Sequence, residues 1–401
     1  MSIQPRRRGP RPLTAADAYR RRQAALQHAL RTFTPWRVLD FAPLEAALAQ
    51  LPDARLAELE CALRGATIPD MQRLMAEGAL TAAELTLYYL ARIRRHDVGR
   101  LRSVVEVNPE APAIAAALDE ERRVGRVRGP LHGIPLLLKD NIATGDRLHT
   151  TAGAAALLEA HADRDATVAA RLRAAGAVIL GKTNMSEWAN FMTRRSSNGF
   201  SAVGGQTRNP HGRFDVGGSS SGSGAAVAAR LAAAAVGTET YGSIISPAGQ
   251  CGLVGHKPTH GLVSRDRIIP ITDATDTAGP IARSVVDAAI LLRALAGEDA
   301  NDPATLGVQA RLDGPDAPGA GADGLRGARI AWLQHDARRA GDAEVRRATL
   351  DALRAAGATV VEAPFAPPKV AFEPIMLHGF KHGVNAYLEA TGAPVHSLAE
   401  V

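Results

Sequence analysis

The run Val216-Gly217-Gly218-Ser219-Ser220-Ser221-Gly222-Ser223-Gly224 sets the architecture of this chain, because it leads directly into an alanine-rich segment that begins at Ala225. Glycine adopts backbone conformations that other residues avoid, and neighbouring serine hydroxyls can both donate and accept protons. A flexible linker has a similar composition. This run, however, joins two segments that are themselves expected to be structured, so we predict an ordered loop with a chemical role.

Short apolar segments typical of strands alternate with alanine-rich segments typical of helices on both sides of this run. The strand-like segments are 134–138, 178–180, 328–333 and 359–361, and the helical ones are 111–124, 166–175, 225–235, 284–296 and 343–355. Thr81 and Glu84 have the spacing of a capping box, which predicts a helix over 85–95. The alternation predicts an α/β fold in which helices cover a largely buried sheet.

Basic residues concentrate at the start of the chain. There are 47 lysines and arginines against 41 acidic residues, a net charge of +6, and much of the excess lies at Arg6, Arg7, Arg8, Arg11, Arg20, Arg21, Arg22 and Arg31. We interpret residues 1–65 as a basic N-terminal accessory segment with a solvated arm; nucleic-acid binding by that arm is a side hypothesis. Residues 66–401 form the predicted main domain. Ser397 and Glu400 have the spacing of a helix cap, so we expect this domain to be incomplete at its C-terminus.

The composition also disfavours several classes of protein. Cys61 and Cys251 are too few for a disulfide framework or a four-cysteine zinc site, which favours a reducing compartment and predicts a cytoplasmic protein. The apolar stretch 225–236 is interrupted by Arg230 and is too short for a membrane span, so no membrane association is expected. Two histidine pairs have the i, i+4 spacing of a metal-binding helix. Pro258 breaks the helix of His256 and His260, and the pair His378 and His382 lacks the glutamate of H-E-x-x-H. We therefore predict no metal and no cofactor.

Two familiar motifs occur in the chain without the flanking structure that they require. Residues 176–183 match the phosphate-loop pattern G-x-x-x-x-G-K-T, yet the four intervening residues are apolar strand formers, whose amides we expect to pair in a sheet. Residues 218–222 match G-x-S-x-G, but the segment before them, 209–215, reads as a loop rather than as the strand of a hydrolase elbow. Nucleotide binding and an α/β-hydrolase fold are therefore disfavoured.

Three segments together carry residues suited to accepting a proton, relaying it and stabilising an anionic oxygen. Lys139 lies at the end of the apolar part of 131–141, where loss of hydration favours a neutral amine that accepts a proton, although a strand-end lysine can also reach solvent. The run 216–224 supplies serine hydroxyls. Ser243 lies in the turn-like segment 236–249, where successive backbone amides can converge on an anionic oxygen.

With these residues the chain resembles the amidase signature family, whose hallmark is a Ser, cis-Ser, Lys triad with a Gly/Ser-rich stretch. In the family the nucleophile follows the relay serine by 24 residues, which is the interval between Ser219 and Ser243. Lys139 lies upstream in an apolar Gly-Ile-Pro context. The resemblance covers about residues 68–401 and implies a mixed sheet with helices on both faces, in a domain over 66–401.

The resemblance implies a role for each of these residues. Ser243 is the expected nucleophile, Ser219 the relay and Lys139 the base of an acyl-enzyme mechanism. Consecutive backbone amides are expected to form the oxyanion hole, namely those of Thr240, Tyr241, Gly242 and Ser243. Two neighbours of the relay are expected to support the site, Gly218 through a cis peptide bond to Ser219 and Ser220 through a hydrogen bond to Lys139.

The implied function is hydrolysis of a carboxamide to a carboxylate and ammonia or an amine, with a small-molecule or peptide amide as the substrate. The pattern Gly-Thr-Glu-Thr-x-Gly-Ser, in which Tyr241 stands where many family members have glycine, looks closest to peptide amidases. Two alternatives stay open. One is a component like the A subunit of a glutamyl-tRNA amidotransferase assembly, and the other is a non-catalytic basic binding protein.

Overall fold

The computed structural model describes residue 29 and residues 32–191, 196–309, 323–334, 342–364 and 370–401. The chain divides into two compact units, the first formed by Met1–Leu306 with His378–Val401 and the second by Gly307–Leu377. The arginines of the predicted basic arm lie outside the described residues. Among the helices of the described ranges, none combines the length and the apolar character that a membrane crossing requires.

The first unit contains nine helices wholly within its described residues. They are α1 (Glu45–Leu48), α2 (Asp53–Ala62), α3 (Ile68–Ala76), α4 (Ala82–His96), α5 (Ala111–Arg123), α6 (Thr167–Ala174), α7 (Ser221–Ala228), α8 (Ile245–Gln250) and α9 (Val285–Leu295). Its strands are β1 (Val104–Val107), β2 (Pro135–Lys139), β3 (Val178–Thr183), β4 (Phe200–Ser201), β5 (Gly205–Gln206), β6 (Ala234–Glu239), β7 (Val254–Gly255) and β8 (Thr277–Ala282). Short helical turns lie at Ala42–Leu44, Asp97–Leu101, Ala155–Leu157, Glu187–Asn190 and Pro303–Thr305.

These strands form a mixed six-stranded sheet in the order β1-β3-β2-β6-β8-β7, with β4 and β5 as a separate hairpin. The strands β3, β2 and β6 are parallel, whereas β1 is antiparallel to β3, and β8 is antiparallel to β6 and β7. Every residue of β2 and β6 is buried, so both faces of the sheet are covered at its centre. The predicted α/β fold, with a mixed sheet between helices, is confirmed.

Local sequence signals account for much of this arrangement. The uninterrupted apolar run of β2 is typical of a central parallel strand, which is buried on both faces. The capping box that opens α4 is present, because the Thr81 hydroxyl accepts the amide of Glu84 and the Glu84 carboxylate accepts the amide of Thr81, both at 3.0 Å. The buried face of α4 carries Leu85, Leu90 and Ile93, which pack into the main hydrophobic core.

The predicted helix over 225–235 is wrong at both ends. The helix α7 begins at Ser221 and ends at Ala228, and the alanines from Ala234 belong to β6. Alanine favours a helix, but β6 is held between β2 and β8, and these tertiary contacts override the local propensity. The first turn of α7 needs glycine at position 222. A Cβ there would lie 2.3 Å from the Ser103 carbonyl oxygen, so a larger residue would not fit. The sequence pattern does not predict the strands β1 and β8.

The residues just before the predicted main domain belong to the same hydrophobic core. Leu44, Leu59 and Leu63 are buried and pack in the cluster that contains the apolar residues of β2 and α4. The division of the chain at residue 66 stays a prediction, and the contacts of these leucines show that residues before it contribute to the core.

The second unit is a strand–helix–strand arrangement. It consists of β9 (Arg329–Gln334), α10 (Asp342–Ala355), β10 (Thr359–Pro364) and the start of α11 (Phe372–Thr391). The two strands are parallel, with Arg329 opposite Thr359. The three predicted segments 328–333, 343–355 and 359–361 therefore form elements of the predicted types.

Truncation of Leu137 at the centre of β2 is expected to destabilise the first unit. This side chain is fully buried, so Leu137→Ala removes apolar contacts and leaves a cavity, which costs about 2–5 kcal/mol. The matched control is Leu306→Ala, because Leu306 is 64% exposed and its loss is expected to change stability by less than about 0.5 kcal/mol. Urea denaturation measures both, and equal midpoints would contradict the placement of β2 in the core.

Candidate active site

The carboxyl ends of two parallel strands meet at one edge of the sheet. Lys139 ends β2 and Glu239 ends the neighbouring β6, and parallel neighbours end at the same edge. Because β8 runs antiparallel and pairs Thr277 with Glu239, Asp276 just before it lies at this edge too. The fold thus brings residues from three distant parts of the chain into one site.

The glycine- and serine-rich run places Ser219 against Lys139. The Nζ atom of Lys139 lies 2.7 Å from the Oγ atom of Ser219, and both side chains are fully buried. The peptide bond between Gly218 and Ser219 is cis. Gly218 has no room for a side chain, because a Cβ there would lie 2.6 Å from the Oδ1 atom of Asn198 and 2.7 Å from the Oγ atom of Ser186.

The remaining hydrogen bonds of Lys139 go to a single residue of β6. Its Nζ atom lies 2.8 Å from the Oγ1 atom and 3.3 Å from the carbonyl oxygen of Thr238. The side-chain Nδ2 atom of Asn141 donates to the same Oγ1 atom at 3.1 Å and also to the carbonyl oxygen of Ile269 at 3.0 Å. A neutral amine that donates both hydrogens to Thr238 directs its lone pair at the hydroxyl of Ser219, which is the arrangement that a proton acceptor needs.

Burial also favours the neutral form of this amine. Desolvation lowers the pKa of Lys139 from 10.5 to about 7, against the opposing effect of the carboxylates of Asp276 and Glu239. Lys182 is likewise fully buried and its pKa is lowered by burial, but it donates to the Ile142 carbonyl oxygen and the Thr150 hydroxyl. Of these two lysines, Lys139 is the one whose buried amine meets a serine from the Gly/Ser run.

Ser243 lies in the turn between β6 and α8 and is 8% exposed. Its carbonyl oxygen accepts the amide of Ser220 at 3.2 Å, which ties it to the residue after Ser219. Within the described residues, no hydrogen bond joins the hydroxyls of Ser219 and Ser243. The structure therefore joins Lys139 to Ser219 by a side-chain hydrogen bond and Ser243 to Ser220 by a backbone hydrogen bond, and the relay from Ser243 to Ser219 stays a prediction.

Two details of the predicted site differ in the structure. Ser220 does not bond to Lys139 as expected; its hydroxyl lies 3.1 Å from the carbonyl oxygen and 3.2 Å from the amide of Thr238. The amide of Gly242 donates to Glu239 at 2.7 Å, which contradicts the prediction that this amide faces a substrate oxygen. An oxyanion hole made by the other three amides stays a prediction.

Three residues of the site are not identified by the sequence pattern. Thr238 bonds to Lys139, Asn141 bonds to Thr238, and Glu239 holds the turn that carries Ser243. Thr238 and Glu239 precede Ser243 in the same turn-like segment, and Asn141 follows Lys139 by two residues. Their proximity is visible in the sequence, but their contacts depend on the pairing of β2 with β6, which the pattern does not show.

The two disfavoured motifs have the structures that are expected of them. Residues Val178–Thr183 of the phosphate-loop pattern form β3, which pairs with both β1 and β2, so their amides are engaged in the sheet. The residues directly before Gly218 form no strand. Neither segment therefore forms a phosphate loop or a hydrolase elbow.

A family model described as Amidase matches residues 84–396, which is more than half of the chain. The chain belongs to the amidase signature family. The predicted resemblance to this family is confirmed.

Solved structures of other family members share its fold. The peptide amidase from Stenotrophomonas maltophilia has a TM-score of 0.78 at 48% identity, over 84% of this chain and 70% of that one. An amidase family protein from Bacillus anthracis has a TM-score of 0.84 at 38% identity, over 92% and 75% of the two chains.

Curated relatives include both amidases and amidotransferase components. A protein of Arabidopsis thaliana named as a probable amidase is 40% identical over 84% of this chain and 67% of its own length. The A subunit of the glutamyl-tRNA(Gln) amidotransferase of Thermosynechococcus vestitus is 40% identical over 74% and 60%. The chain spans less than half of two fungal relatives, 36% of one from Arthroderma benhamiae and 42% of one from Schizosaccharomyces pombe.

Replacement of Lys139 by methionine is expected to change how stability depends on pH. The pKa of Lys139 is about 7 in the folded chain and 10.5 ordinarily, so between these values the unfolded chain binds one more proton. The wild-type free energy of unfolding therefore gains about 1.4 kcal/mol from this group for each unit that the pH rises across this window, and loses it as the pH falls toward 7.

The stability of Lys139→Met minus that of the wild type should thus fall steadily as the pH rises above 7. Urea denaturation of the two proteins side by side measures this difference, in which the titrating groups that do not interact with Lys139 cancel. A difference that is constant from neutral to alkaline pH would show that Lys139 keeps its ordinary pKa.

Proposed function

We propose that the chain hydrolyses a carboxamide through a serine acyl-enzyme, with Ser243 as nucleophile, Ser219 as relay and Lys139 as base. The observation that carries the proposal is the 2.7 Å contact between the Nζ atom of Lys139 and the Oγ atom of Ser219, two side chains that are both fully buried. Membership of the amidase signature family and the backbone bond from Ser220 to Ser243 support it.

In the first step, the Oγ atom of Ser243 attacks the carbonyl carbon of the amide. Its proton passes to the oxygen of Ser219, whose own proton passes to the lone pair of Lys139. Backbone amides of Thr240, Tyr241 and Ser243 are the proposed donors to the tetrahedral oxyanion. When the C–N bond breaks, the relay returns the proton to the leaving nitrogen, and ammonia or an amine departs.

Deacylation uses the same proton relay, with water in place of Ser243 as the attacking nucleophile. Water attacks the ester carbonyl carbon of the acyl-enzyme and gives its proton through Ser219 to Lys139. The C–O bond to Ser243 then breaks, the proton returns to the serine oxygen, and the carboxylic acid leaves. Because the amine is restored at each turnover, the cycle needs no cofactor.

The proposed substrate is a small-molecule or peptide carboxamide. The similarity to the Stenotrophomonas maltophilia peptide amidase, at 48% identity, favours this class. A role like that of the A subunit in a tRNA-linked amidotransferase is the second candidate, since the Thermosynechococcus vestitus protein is 40% identical over 300 residues. A cytoplasmic location is part of the proposal and accords with the unpaired Cys61 and Cys251.

Removal of the Ser243 hydroxyl is expected to abolish turnover. Ser243→Ala lacks the nucleophile. Because catalytic residues act as one unit, the loss of one of them is expected to lower kcat about ten-thousand-fold or more. Ammonia release from a panel of simple, aryl and peptide amides measures the loss, with Ser397→Ala as a serine control outside the site. Undiminished turnover by Ser243→Ala would contradict the assignment.

The pH profile is expected to report Lys139. Because the base must be neutral, kcat/KM should fall about tenfold per pH unit below the pKa of about 7 and level off above it. Lys139→Arg should be inactive throughout, since its guanidinium does not give up a proton. A decline in kcat/KM centred near about pH 4 to 5 would contradict this role, because carboxyl groups have ordinary pKa values of about 4 and such a profile is typical of a carboxylate base.

One further comparison separates the candidate functions. Ammonia release by the purified chain alone supports a free-standing amidase. Activity that requires a partner protein and a charged tRNA supports the amidotransferase role instead. Salt-sensitive binding of nucleic acid without turnover supports a non-catalytic protein.

A further inference from the structure

Glu239, the last residue of β6, has a buried carboxylate that accepts three backbone amides from one turn. Its Oε1 atom accepts the amide of Gly242 at 2.7 Å. Its Oε2 atom accepts the amides of Ile244 and Ile245 at 2.7 and 3.0 Å. Glu239 is only 4% exposed, and the proposed proton relay does not use its carboxylate.

These amides lie on both sides of the proposed nucleophile. Ser243 stands between Gly242 and Ile244, so the residues before and after it are fixed to the same carboxylate. Gly242 has a φ of +87°, in the left-handed region that glycine favours, which lets the chain turn around the carboxylate. Hydrogen bonds to an ionised acceptor are about twice as strong as neutral ones, so the backbone of Ser243 is held firmly.

A second carboxylate holds the beginning of the same turn. Asp276 accepts the hydroxyl of Thr240 as well as the amides of Ile271 at 2.7 Å and Thr272 at 3.0 Å. Asp276 and Glu239 are also the charged groups that oppose the effect of burial on the pKa of Lys139. Loss of the charge of Glu239 would therefore lower that pKa below its present value of about 7.

We propose that Glu239 is a positioning residue of the amidase reaction, which fixes the Ser243 turn through three amide hydrogen bonds and sets a negative charge beside the base. The inference rests on the proposed function, because it requires that Ser243 reacts and that Lys139 accepts the proton. One side chain thus links the place of the nucleophile to the proton affinity of the base.

Two substitutions separate these two effects. Glutamine has one carbonyl oxygen and one NH2 group, so in either orientation Glu239→Gln turns a donor toward at least one backbone amide, and it removes the charge. Aspartate keeps the charge but is one methylene shorter. Glu239→Asp therefore cannot reach all three amides from the same backbone position.

The test measures how fast an alkyl fluorophosphonate labels Ser243 as the pH is raised from about 5 to 9. Labelling forms the bond from the serine oxygen to phosphorus and breaks the P–F bond; fluoride leaves, and the serine proton passes through Ser219 to Lys139. The rate therefore depends both on the place of the nucleophile and on the protonation of the base.

Both Glu239 variants are expected to label about 10- to 100-fold more slowly than the wild type at the alkaline plateau, because the nucleophile is misplaced. The midpoint of the pH profile should fall by about 0.5 to 1 pH unit in Glu239→Gln, where the charge is lost. It should stay within about 0.3 pH unit of the wild type in Glu239→Asp, where the charge remains.

Asp119 provides a matched control. Its carboxylate accepts the amides of Ala82 and Ala83 at 2.7 and 2.9 Å, at the start of α4. Asp119→Asn should lower the melting temperature but leave both the labelling rate and the midpoint unchanged, which separates a loss of stability from a loss of positioning.

A wild-type labelling rate in both Glu239 variants, or an unchanged midpoint in Glu239→Gln, would overturn the inference. If Glu239→Gln shows no cooperative melting transition, Glu239→Asp decides alone: slow labelling with the wild-type midpoint supports the inference, and wild-type labelling overturns it. If the wild type is not labelled at Ser243, the proposed function fails and the inference fails with it. If the wild type is labelled but the Glu239 variants behave like it, only the inference fails.

Discussion

The site depends on the burial of one amine at the end of a central strand. Water would keep Lys139 charged at neutral pH, and its removal from water lowers the pKa to about 7. Contacts with β6 then position this amine, because its Nζ atom lies within hydrogen-bond distance of two oxygens of Thr238 as well as of the Oγ atom of Ser219. The burial of the amine and its contact with Ser219 thus both follow from its place at the end of β2.

Comparison with Lys182 shows that burial by itself does not bring a lysine into contact with the Gly/Ser run. Both lysines are fully buried and have lowered pKa values, and they end or nearly end adjacent parallel strands. Lys182 donates to a carbonyl oxygen and a threonine hydroxyl, whereas Lys139 also contacts a serine from the Gly/Ser run. The partners that the fold supplies, and not the residue type, separate the two.

The sequence pattern predicts those parts of the fold and site that are encoded locally. The apolar run before Lys139 and the capping box of α4 depend on neighbouring residues, and both are present. The strand β6 is not predicted: its first two residues, Ala234 and Ala235, fall in the predicted helix over 225–235, and the rest fall in the predicted turn-like segment 236–249. Alanine gives no periodic signal, and only pairing with β2 and β8 makes this segment extended. The contacts of Thr238 and Glu239 depend on that pairing, so they become visible only once the strand is placed.

The proposed site requires that the amine of Lys139 loses its proton near physiological pH. NMR titration of the side chains in protein labelled with 13C-lysine observes this directly, since the chain has five lysines, at positions 139, 182, 257, 369 and 381, and Lys139→Arg assigns the relevant signal. We predict that the Lys139 signal titrates with a midpoint of about 7. A midpoint near the ordinary value of 10.5 would show that the amine stays charged at neutral pH and does not serve as the base.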